Sequence, residues 1–344
     1  MRTQGLDAFL LTSHPNILWL TGFTGSSGLC VITPRRGIFV SDPRYAVQSR
    51  AEVHGFRRVI SARGMFDAVS EHRLLAGCRR VGFESQHVTH AQYRTLRRIF
   101  RSVSFRPTDN LVEDLEMVKD DGELALLREA VRISDDAFRH VLPVLRPGVR
   151  ESDVAAEITF FQRRAGAERD AFETIVAGGE RAALPHARAS SRRLRAGDLV
   201  ILDFGCTVGG YSSDLTRTVA VGRASRRSRE IYGVVREAQE AAVAAARGEM
   251  PARDLDAVAR TVIAAAGYGR YFVHSLGHGL GLHVHERPWV SALSTEFLRT
   301  GSVITIEPGI YIPGFGGVRI EDDVVLEKNG CRVLNTAPKE LIVT

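Results

Sequence analysis

The alternation of apolar and polar residues divides the first part of the chain into short strands and helices. Apolar runs at Ala8–Thr12 and Gly37–Ser41 have the length of buried strands, whereas Tyr45–Val53 and His90–Arg101 have helical spacing. Strands and helices that alternate in this way are typical of a layered α/β domain. The sequence therefore predicts an N-terminal α/β domain that ends near the turn-forming residues Pro107–Asn110.

The pattern changes after this turn. A long helical pattern runs over Asp121–Val144, with Asp120 or Asp121 as its N-cap. Later helical patterns alternate with β-type runs and Gly/Pro loops, which is typical of an α+β domain. These helical patterns cover Glu151–Gly166, Ser228–Arg247 and Leu255–Ala266. We therefore predict two domains, residues 1–115 and 116–344.

The composition narrows the function only slightly. Of the 344 residues, 44% are hydrophobic and 25% are charged, and 46 Lys+Arg against 40 Asp+Glu give a net charge of +6. The basic residues are spread along the chain without interleaved aromatics, so we expect no nucleic-acid partner. We expect no membrane partner either, because the sequence has neither a long apolar leader nor an apolar run of spanning length. Widely spaced cysteines without a CxxC pair favour a cytoplasmic location.

Two carboxylates flank a predicted tight hairpin. β-type runs lie on either side of the turn signal Gly209-Gly210, and this register places Gly205 opposite Asp214. Asp203 would share a face with Gly205, so Asp203 and Asp214 would be diagonal neighbours about 7–8 Å apart at the backbone. The alternative is an edge hairpin with two solvent-facing carboxylates. Asp203 argues against it, because this residue follows an apolar run where a buried carboxylate needs a partner.

A second candidate segment is rich in histidine and glycine. His274–Glu286 holds four of the eleven histidines, and its glycines disfavour a helix. In an extended chain His274 and His278 would face the same way, and the glycines beside His278 would leave room for a ligand or ion. A structural role is the alternative for any one histidine. Their density favours a site for metal binding or proton transfer.

Two glutamates follow short apolar runs further along the chain. Glu307 precedes Pro308, and Glu321 follows Arg319, which would share its face and could orient a carboxylate. A surface position is the alternative for each glutamate. With the earlier residues they form an oxygen-rich set suited to a pair of divalent ions such as Mn²⁺, Co²⁺ or Zn²⁺. The predicted metal ligands are Asp203, Asp214, His278, Glu307 and Glu321.

The five motifs that contain these ligands resemble those of the pita-bread metallopeptidases. They are Leu202-Asp-Phe-Gly205, Ser213-Asp-Leu-Thr-Arg-Thr218, His274-Ser-Leu-Gly-His-Gly-Leu-Gly281, Ile306-Glu-Pro-Gly-Ile-Tyr311 and Val318-Arg-Ile-Glu-Asp322. The closest branch looks like the Xaa-Pro peptidases, aminopeptidase P and prolidase, to whose N-terminal domain Asn16–Ser26 and Ser41–Tyr45 are similar. The resemblance implies an α+β pita-bread catalytic domain with a smaller α/β creatinase-like N-terminal domain.

The resemblance also implies a role for each residue. Asp203 would chelate one ion and His278 with Glu307 the other, while Asp214 and Glu321 would bridge two divalent ions, preferably manganese, with cobalt or zinc as alternatives. A metal-bridging hydroxide would attack the Xaa-Pro bond. His274 would line the proline pocket, His285 would contact the scissile peptide, and Arg319 would support the bridging glutamate. The implied catalytic residues are His186, His274, His285, Glu307 and Arg319.

Two activities of this branch compete. Many prolidases place an arginine shortly after the His-Glu dipeptide, where this chain has Trp289, although Arg287 lies close. We therefore predict an aminopeptidase P-like enzyme that acts on proline-containing peptides as a homodimer, with the Xaa-Pro dipeptidase prolidase as the alternative. Methionine aminopeptidase usually lacks such an N-terminal domain. Metal-free creatinase and catalytically silent pita-bread binding proteins typically lose metal ligands, which this chain retains.

Overall fold

A mixed six-stranded sheet organises the first of two units, Met1–Glu116, in the computed structural model, which describes Met1 and residues 4–344. Its strands are β1 (Ala8–Leu11), β2 (Leu29–Ile32), β3 (Gly37–Ser41), β4 (Arg57–Ile60), β5 (Arg80–Glu84) and β6 (Ser104–Thr108). Their order is β4-β3-β2-β1-β5-β6, in which β2 runs antiparallel to both of its neighbours and the other pairs are parallel.

Helices cover both faces of this sheet. They are α1 (His14–Thr21), α2 (Ala46–Glu52), α3 (Met65–Glu71), α4 (His90–Ile99) and α5 (Glu113–Glu116). Strand β1 shows why both faces need a cover, since Ala8 and Leu10 belong to one apolar cluster while Phe9 and Leu11 belong to another. The predicted α/β layering is thus confirmed, and no helix in the described part of the chain has the length and apolarity to cross a bilayer.

The second unit, Met117–Thr344, combines helices with antiparallel strands. The helices are α6 (Asp121–Val141), α7 (Glu151–Arg164), α8 (Arg226–Ala245) and α9 (Ala252–Ala265). The first strands are β7 (Arg169–Asp170), β8 (Ile175–Gly178), β9 (Leu199–Phe204), β10 (Cys206–Val208), β11 (Tyr211–Ser212) and β12 (Leu215–Ala220). The later ones are β13 (Gly277–Gly279), β14 (Glu286–Val290), β15 (Val303–Ile306), β16 (Gly309–Ile312), β17 (Gly316–Arg319), β18 (Asp322–Glu327) and β19 (Gly330–Val333).

The strands of this unit form four small sheets, each covered by helices or by neighbouring strands. They pair as β11-β10-β7, β12-β9-β8, β14-β13-β15-β18-β19 and β16-β17. Phe138 of α6 and Ile158 of α7 pack with Leu202 of β9, whereas Val235 of α8 and Leu255 of α9 belong to a second core. Antiparallel sheets with helix pairs against them confirm the predicted α+β class.

Helix ends differ from the predicted ones by a few residues, for local reasons. Asp120 caps α6, since its carboxylate accepts from the Glu123 amide at 2.8 Å and the Glu123 carboxylate accepts from the Asp120 amide at 2.7 Å. The regular helix ends before Leu142–Val144, which forms a 3₁₀ turn containing Pro143. Helix α8 starts earlier than predicted because Ser225 caps it, accepting from the Ser228 amide at 3.0 Å.

The predicted hairpin and its register are confirmed. Gly209 and Gly210 have φ angles of 57° and 84°, the left-handed values that a two-residue turn requires. Val208 pairs with Tyr211 across the turn, and the same register continues where Asp203 pairs with Thr216. The hairpin therefore extends unshifted from the turn into β9 and β12.

Gly205 permits a close approach within this hairpin, because a Cβ there would lie 1.8 Å from the Ser213 carbonyl oxygen. We expect Gly205→Ala to push the two arms of the hairpin apart and to lower the free energy of unfolding by roughly 1–3 kcal/mol. Urea unfolding of the metal-free protein measures this. Gly233→Ala in α8 is the control, since a Cβ there would meet no described atom within 4 Å beyond its own stretch of helix. This substitution should stabilise the protein by up to about 1 kcal/mol. Equal unfolding midpoints for the two variants would contradict this account.

Candidate functional site

One cavity of about 500 Å³ in the second unit collects every residue predicted for the site. The predicted residues in its lining are His186, Asp203, Asp214, His274, His278, His285, Glu307, Arg319 and Glu321. The lining carboxylates Asp203, Asp214 and Glu321 are buried, with Glu321 only 1% exposed. The alternative of solvent-facing carboxylates on an edge hairpin is therefore wrong.

The acidic side chains converge on His278. Asp214, His278 and Glu321 each offer a ligand atom, and these atoms all lie within 4.8 Å of one another. The Nε2 atom of His278 also lies 3.4 Å from Oε1 of Glu307. The Oδ1 atom of Asp203 is buried and has no hydrogen-bond partner among the described residues. Buried acceptors without donors are costly, so this group fits a cation.

The tautomer of His278 leaves its Nε2 atom available to a ligand. Because a carbonyl oxygen only accepts, Nδ1 of His278 donates to the Gly279 oxygen at 3.1 Å. Burial, followed by the nearby His285, lowers the pKa of His278 to about 3, so the ring is neutral. Neutral imidazole with a free nitrogen beside carboxylates is the form that binds metals.

Arg319 connects several parts of the site. Its guanidinium contacts the carboxylate of Asp203 and donates to Tyr311 Oη at 2.7 Å. Its Nε donates to Thr216 Oγ1 at 3.0 Å, and that hydroxyl donates to Glu321 Oε2 at 2.6 Å. Arg319 therefore contacts Asp203 directly and supports the predicted bridging glutamate, Glu321, through a threonine.

His274 is held from two sides. Its Nδ1 donates to the Ser275 carbonyl oxygen at 2.8 Å, and Tyr311 Oη lies 2.9 Å from its Nε2. On α9, Arg260 forms an ion pair with Asp256 and donates to the His274 carbonyl oxygen at 3.0 Å. Burial, followed by Arg319, lowers the pKa of His274 to about 3, so this ring also stays neutral.

The glycines beside His278 serve the backbone and not a ligand. A Cβ on Gly277 would lie 2.0 Å from the Thr305 carbonyl oxygen, and a Cβ on Gly279 would lie 2.2 Å from that of Arg287. The expected room for an ion at these positions is therefore filled by neighbouring strands. The glycines let those strands approach closely on both sides of β13.

Sequence reasoning missed several polar partners in the site. Thr305 accepts from the His278 amide at 3.1 Å and lies 3.3 Å from Glu307 Oε1, while Asp323 accepts from the Asp214 amide at 3.1 Å. Thr305 and Asp323 each lie two residues from a predicted ligand, and Thr216 lies two residues after Asp214. The period of two along a strand could have found them. Tyr311 ends a recognised motif but gave no separate signal.

Comparisons with known proteins agree with this geometry. Residues 125–328 match the description Metallopeptidase family M24, and residues 1–118 match Creatinase/Prolidase N-terminal domain. The chain belongs to metallopeptidase family M24. The structure of an Xaa-Pro dipeptidase from Bacillus anthracis is 41% identical, with a TM-score of 0.96, covering 100% of this chain and 96% of that one.

Two further relatives of this M24 metallopeptidase differ in their named activity. The structure of an X-Pro aminopeptidase from Thermotoga maritima is 36% identical, with a TM-score of 0.94 and complete coverage of both chains. An Xaa-Pro dipeptidase from Pyrococcus horikoshii is 38% identical over 99% of this chain and 96% of its own length. The predicted pita-bread catalytic domain with a creatinase-like N-terminal domain is confirmed.

The charges in the cavity suit the divalent ions that M24 metallopeptidases use. Burial, followed by neighbouring carboxylates, raises the pKa of Asp214 and of Glu321 well above their ordinary values. Burial also raises the pKa of Glu307 to about 8, although Arg319 opposes this rise. Crowded acidic groups hold protons unless a cation neutralises them, so metal binding must displace protons.

We expect metal binding to stabilise the protein more at high pH. The folded pKa of Glu307 exceeds its ordinary value of 4.5, so its contribution to folding is full below that value and is lost as pH rises through about 8. The metal-free protein should therefore weaken over this range, while Mn²⁺ should raise its melting temperature by roughly 5–10 °C near pH 8 and less near pH 5.5. Thermal melts with and without chelator at both pH values measure this difference in melting temperature. A larger increase at the lower pH would contradict the displacement of protons by the metal.

Proposed function

We propose that this metallopeptidase hydrolyses Xaa-Pro dipeptides with the help of two divalent ions. The observation that carries the proposal is the convergence of buried carboxylates and a neutral His278 in one cavity, where an acceptor atom of Asp203 has no donor among the described residues. Relatives named Xaa-Pro dipeptidase support this activity better than the aminopeptidase P-like activity that Trp289 suggested. Trp289 lines the cavity but is half exposed, so it does not exclude a dipeptidase.

The five predicted ligands would hold the ions. His278 and Glu307, whose Nε2 and Oε1 atoms lie 3.4 Å apart, would hold one ion, Asp203 would chelate the other, and Asp214 with Glu321 would bridge the two. Support comes from the proximity of the ligand atoms of Asp214, His278 and Glu321. The oxygen-rich set favours manganese, with cobalt or zinc as alternatives. When bound, such ions polarise the scissile carbonyl and lower the pKa of bound water, so that hydroxide is available as the nucleophile.

The chain's own residues would move protons and orient the substrate. Glu307 would accept a proton from the attacking water and deliver it to the proline nitrogen. Burial lowers the pKa of His285, so its ring would stay neutral and donate from its N–H to the oxygen of the scissile carbonyl. His186 would be a second donor to that oxygen. The tertiary amide before proline has no N–H, so His274 and its apolar neighbours would recognise the ring by shape.

Replacing a proposed ligand should remove activity and preserve the fold. We expect Glu307→Ala and His278→Ala each to lower kcat/KM by at least about 10³-fold, because proton transfer or metal retention is lost. Circular dichroism and bound-metal analysis accompany the assay. Glu327→Ala, at the exposed end of β18, and His140→Ala, on the surface of α6, are the matched controls and should keep normal turnover. Near-normal turnover of either ligand variant would show the ligand assignment to be wrong.

The length of the peptide decides between the two Xaa-Pro activities. Because relatives named Xaa-Pro dipeptidase support that activity, we expect at least about tenfold higher kcat/KM on Xaa-Pro than on Xaa-Pro-Yaa. The metal-stripped enzyme is assayed with Mn²⁺, Co²⁺ and Zn²⁺ in turn on both substrates. Faster cleavage of the tripeptide with every metal would favour an aminopeptidase P-like enzyme instead. The homodimer and the cytoplasmic location stay predictions.

A further inference from the structure

A dipeptidase must recognise a charge that longer peptides lack beside proline. An Xaa-Pro dipeptide ends in a free carboxylate on the proline, whereas a longer peptide has a neutral amide there. Arginine is the side chain best suited to a carboxylate, since its planar fork donates two parallel hydrogen bonds. On the proposed function, the site therefore needs an arginine that reaches the cavity.

Arg319 is already committed to the metal centre. It is 3% exposed, and its guanidinium binds Asp203, Tyr311 and Thr216. Arg287, which the sequence places close to Trp289, pairs instead with Glu296. A substrate carboxylate that took donors from Arg319 would leave buried acceptors unpaired, which is costly.

Arg188 is the other arginine among the described residues that line the cavity. Its side chain is 82% exposed, and its Nε lies 3.1 Å from a carboxylate oxygen of Glu173, which also lines the cavity and is 64% exposed. An exposed ion pair of this kind contributes little to stability. The guanidinium can therefore exchange Glu173 for a substrate carboxylate at small cost.

The backbone that carries Arg188 is anchored. Glu151, which is fully buried, accepts from Arg181 Nε at 2.9 Å and from Ser190 Oγ at 2.6 Å. Arg181 in turn donates to the carbonyl oxygen of Arg188. The buried carboxylate of Glu151 thus holds the backbone of the segment that carries Arg188, two residues beyond His186. The Arg188 side chain can change its partner while its backbone stays in place.

We propose that Arg188 binds the C-terminal carboxylate of the Xaa-Pro dipeptide and thereby selects dipeptides over longer peptides. Glu173 holds the guanidinium at the cavity mouth and competes with the substrate for it. Arg188 then supplies the positive charge for the substrate carboxylate that a basic side chain at the position of Trp289 would otherwise supply. It contacts the substrate away from the scissile bond, so its loss should raise KM more than it lowers kcat.

Two substrates that differ only in the charge of their C-terminus test the proposal. Alanyl-proline and alanyl-prolinamide are assayed with the Mn²⁺-loaded enzyme and with Arg188→Gln, Arg188→Lys and Glu173→Gln. We expect Arg188→Gln to raise KM for the dipeptide at least about tenfold and to leave KM for the amide within about twofold. Arg188→Lys should recover part of the loss, and Glu173→Gln should lower KM for the dipeptide. Arg193→Gln is the matched control from the same segment, because Arg193 binds the Gly148 carbonyl oxygen and does not line the cavity.

The outcomes separate this proposal from the dipeptidase function itself. A wild-type enzyme that prefers the dipeptide, and keeps that preference in Arg188→Gln, overturns the role of Arg188 alone. Equal increases of KM for both substrates would mean that Arg188 only shapes the segment, and would also overturn it. A wild-type enzyme that cleaves the amide as well as the dipeptide overturns the dipeptidase function, and the role of Arg188 with it.

Discussion

Mutual repulsion among buried carboxylates is the constraint on which the second unit, Met117–Thr344, depends. Asp203, Asp214, Glu307 and Glu321 face one cavity, and Arg319 neutralises only part of their charge. Burial and crowding raise the pKa of Asp214, Glu307 and Glu321, so the metal-free centre holds protons that a divalent ion would replace. Folding must therefore bring together groups that repel one another when ionised.

The surrounding structure supplies stabilising interactions, from the Thr216 hydroxyl that donates to Glu321 and from charged pairs behind the centre. Arg217, 1% exposed, donates to the Glu321 carbonyl oxygen at 2.5 Å and to Asp322 at 2.7 Å. Lys339 lies 2.7 Å from the other oxygen of Asp322. These groups fix the backbone that carries Glu321 without touching its carboxylate. The ligand stays positioned while its charge remains available to a cation.

Much of this centre could be predicted because it lies on strands joined by short connections. The Gly209-Gly210 turn fixed the register that places Asp203 and Asp214 on one face, and the period of two along β12 carries Thr216 to the same place. Residues held by contacts distant in sequence gave no such signal. Glu151 on α7 anchors the segment of Ser190, and α9 holds His274 through Arg260. Only the tertiary structure brings those elements together.

The same distinction explains why the metal chemistry is easier to infer than the peptide specificity. Relatives named dipeptidase and aminopeptidase share this fold with TM-scores of 0.96 and 0.94, so the buried scaffold does not separate the two activities. On the proposal made for Arg188, specificity would reside at the cavity mouth, where Trp289 is half exposed and Arg188 pairs with an exposed Glu173. Neither hydrophobic periodicity nor core packing constrains such positions. One exposed side chain would then decide how far a peptide extends beyond proline, while the buried carboxylates beneath it stay unchanged.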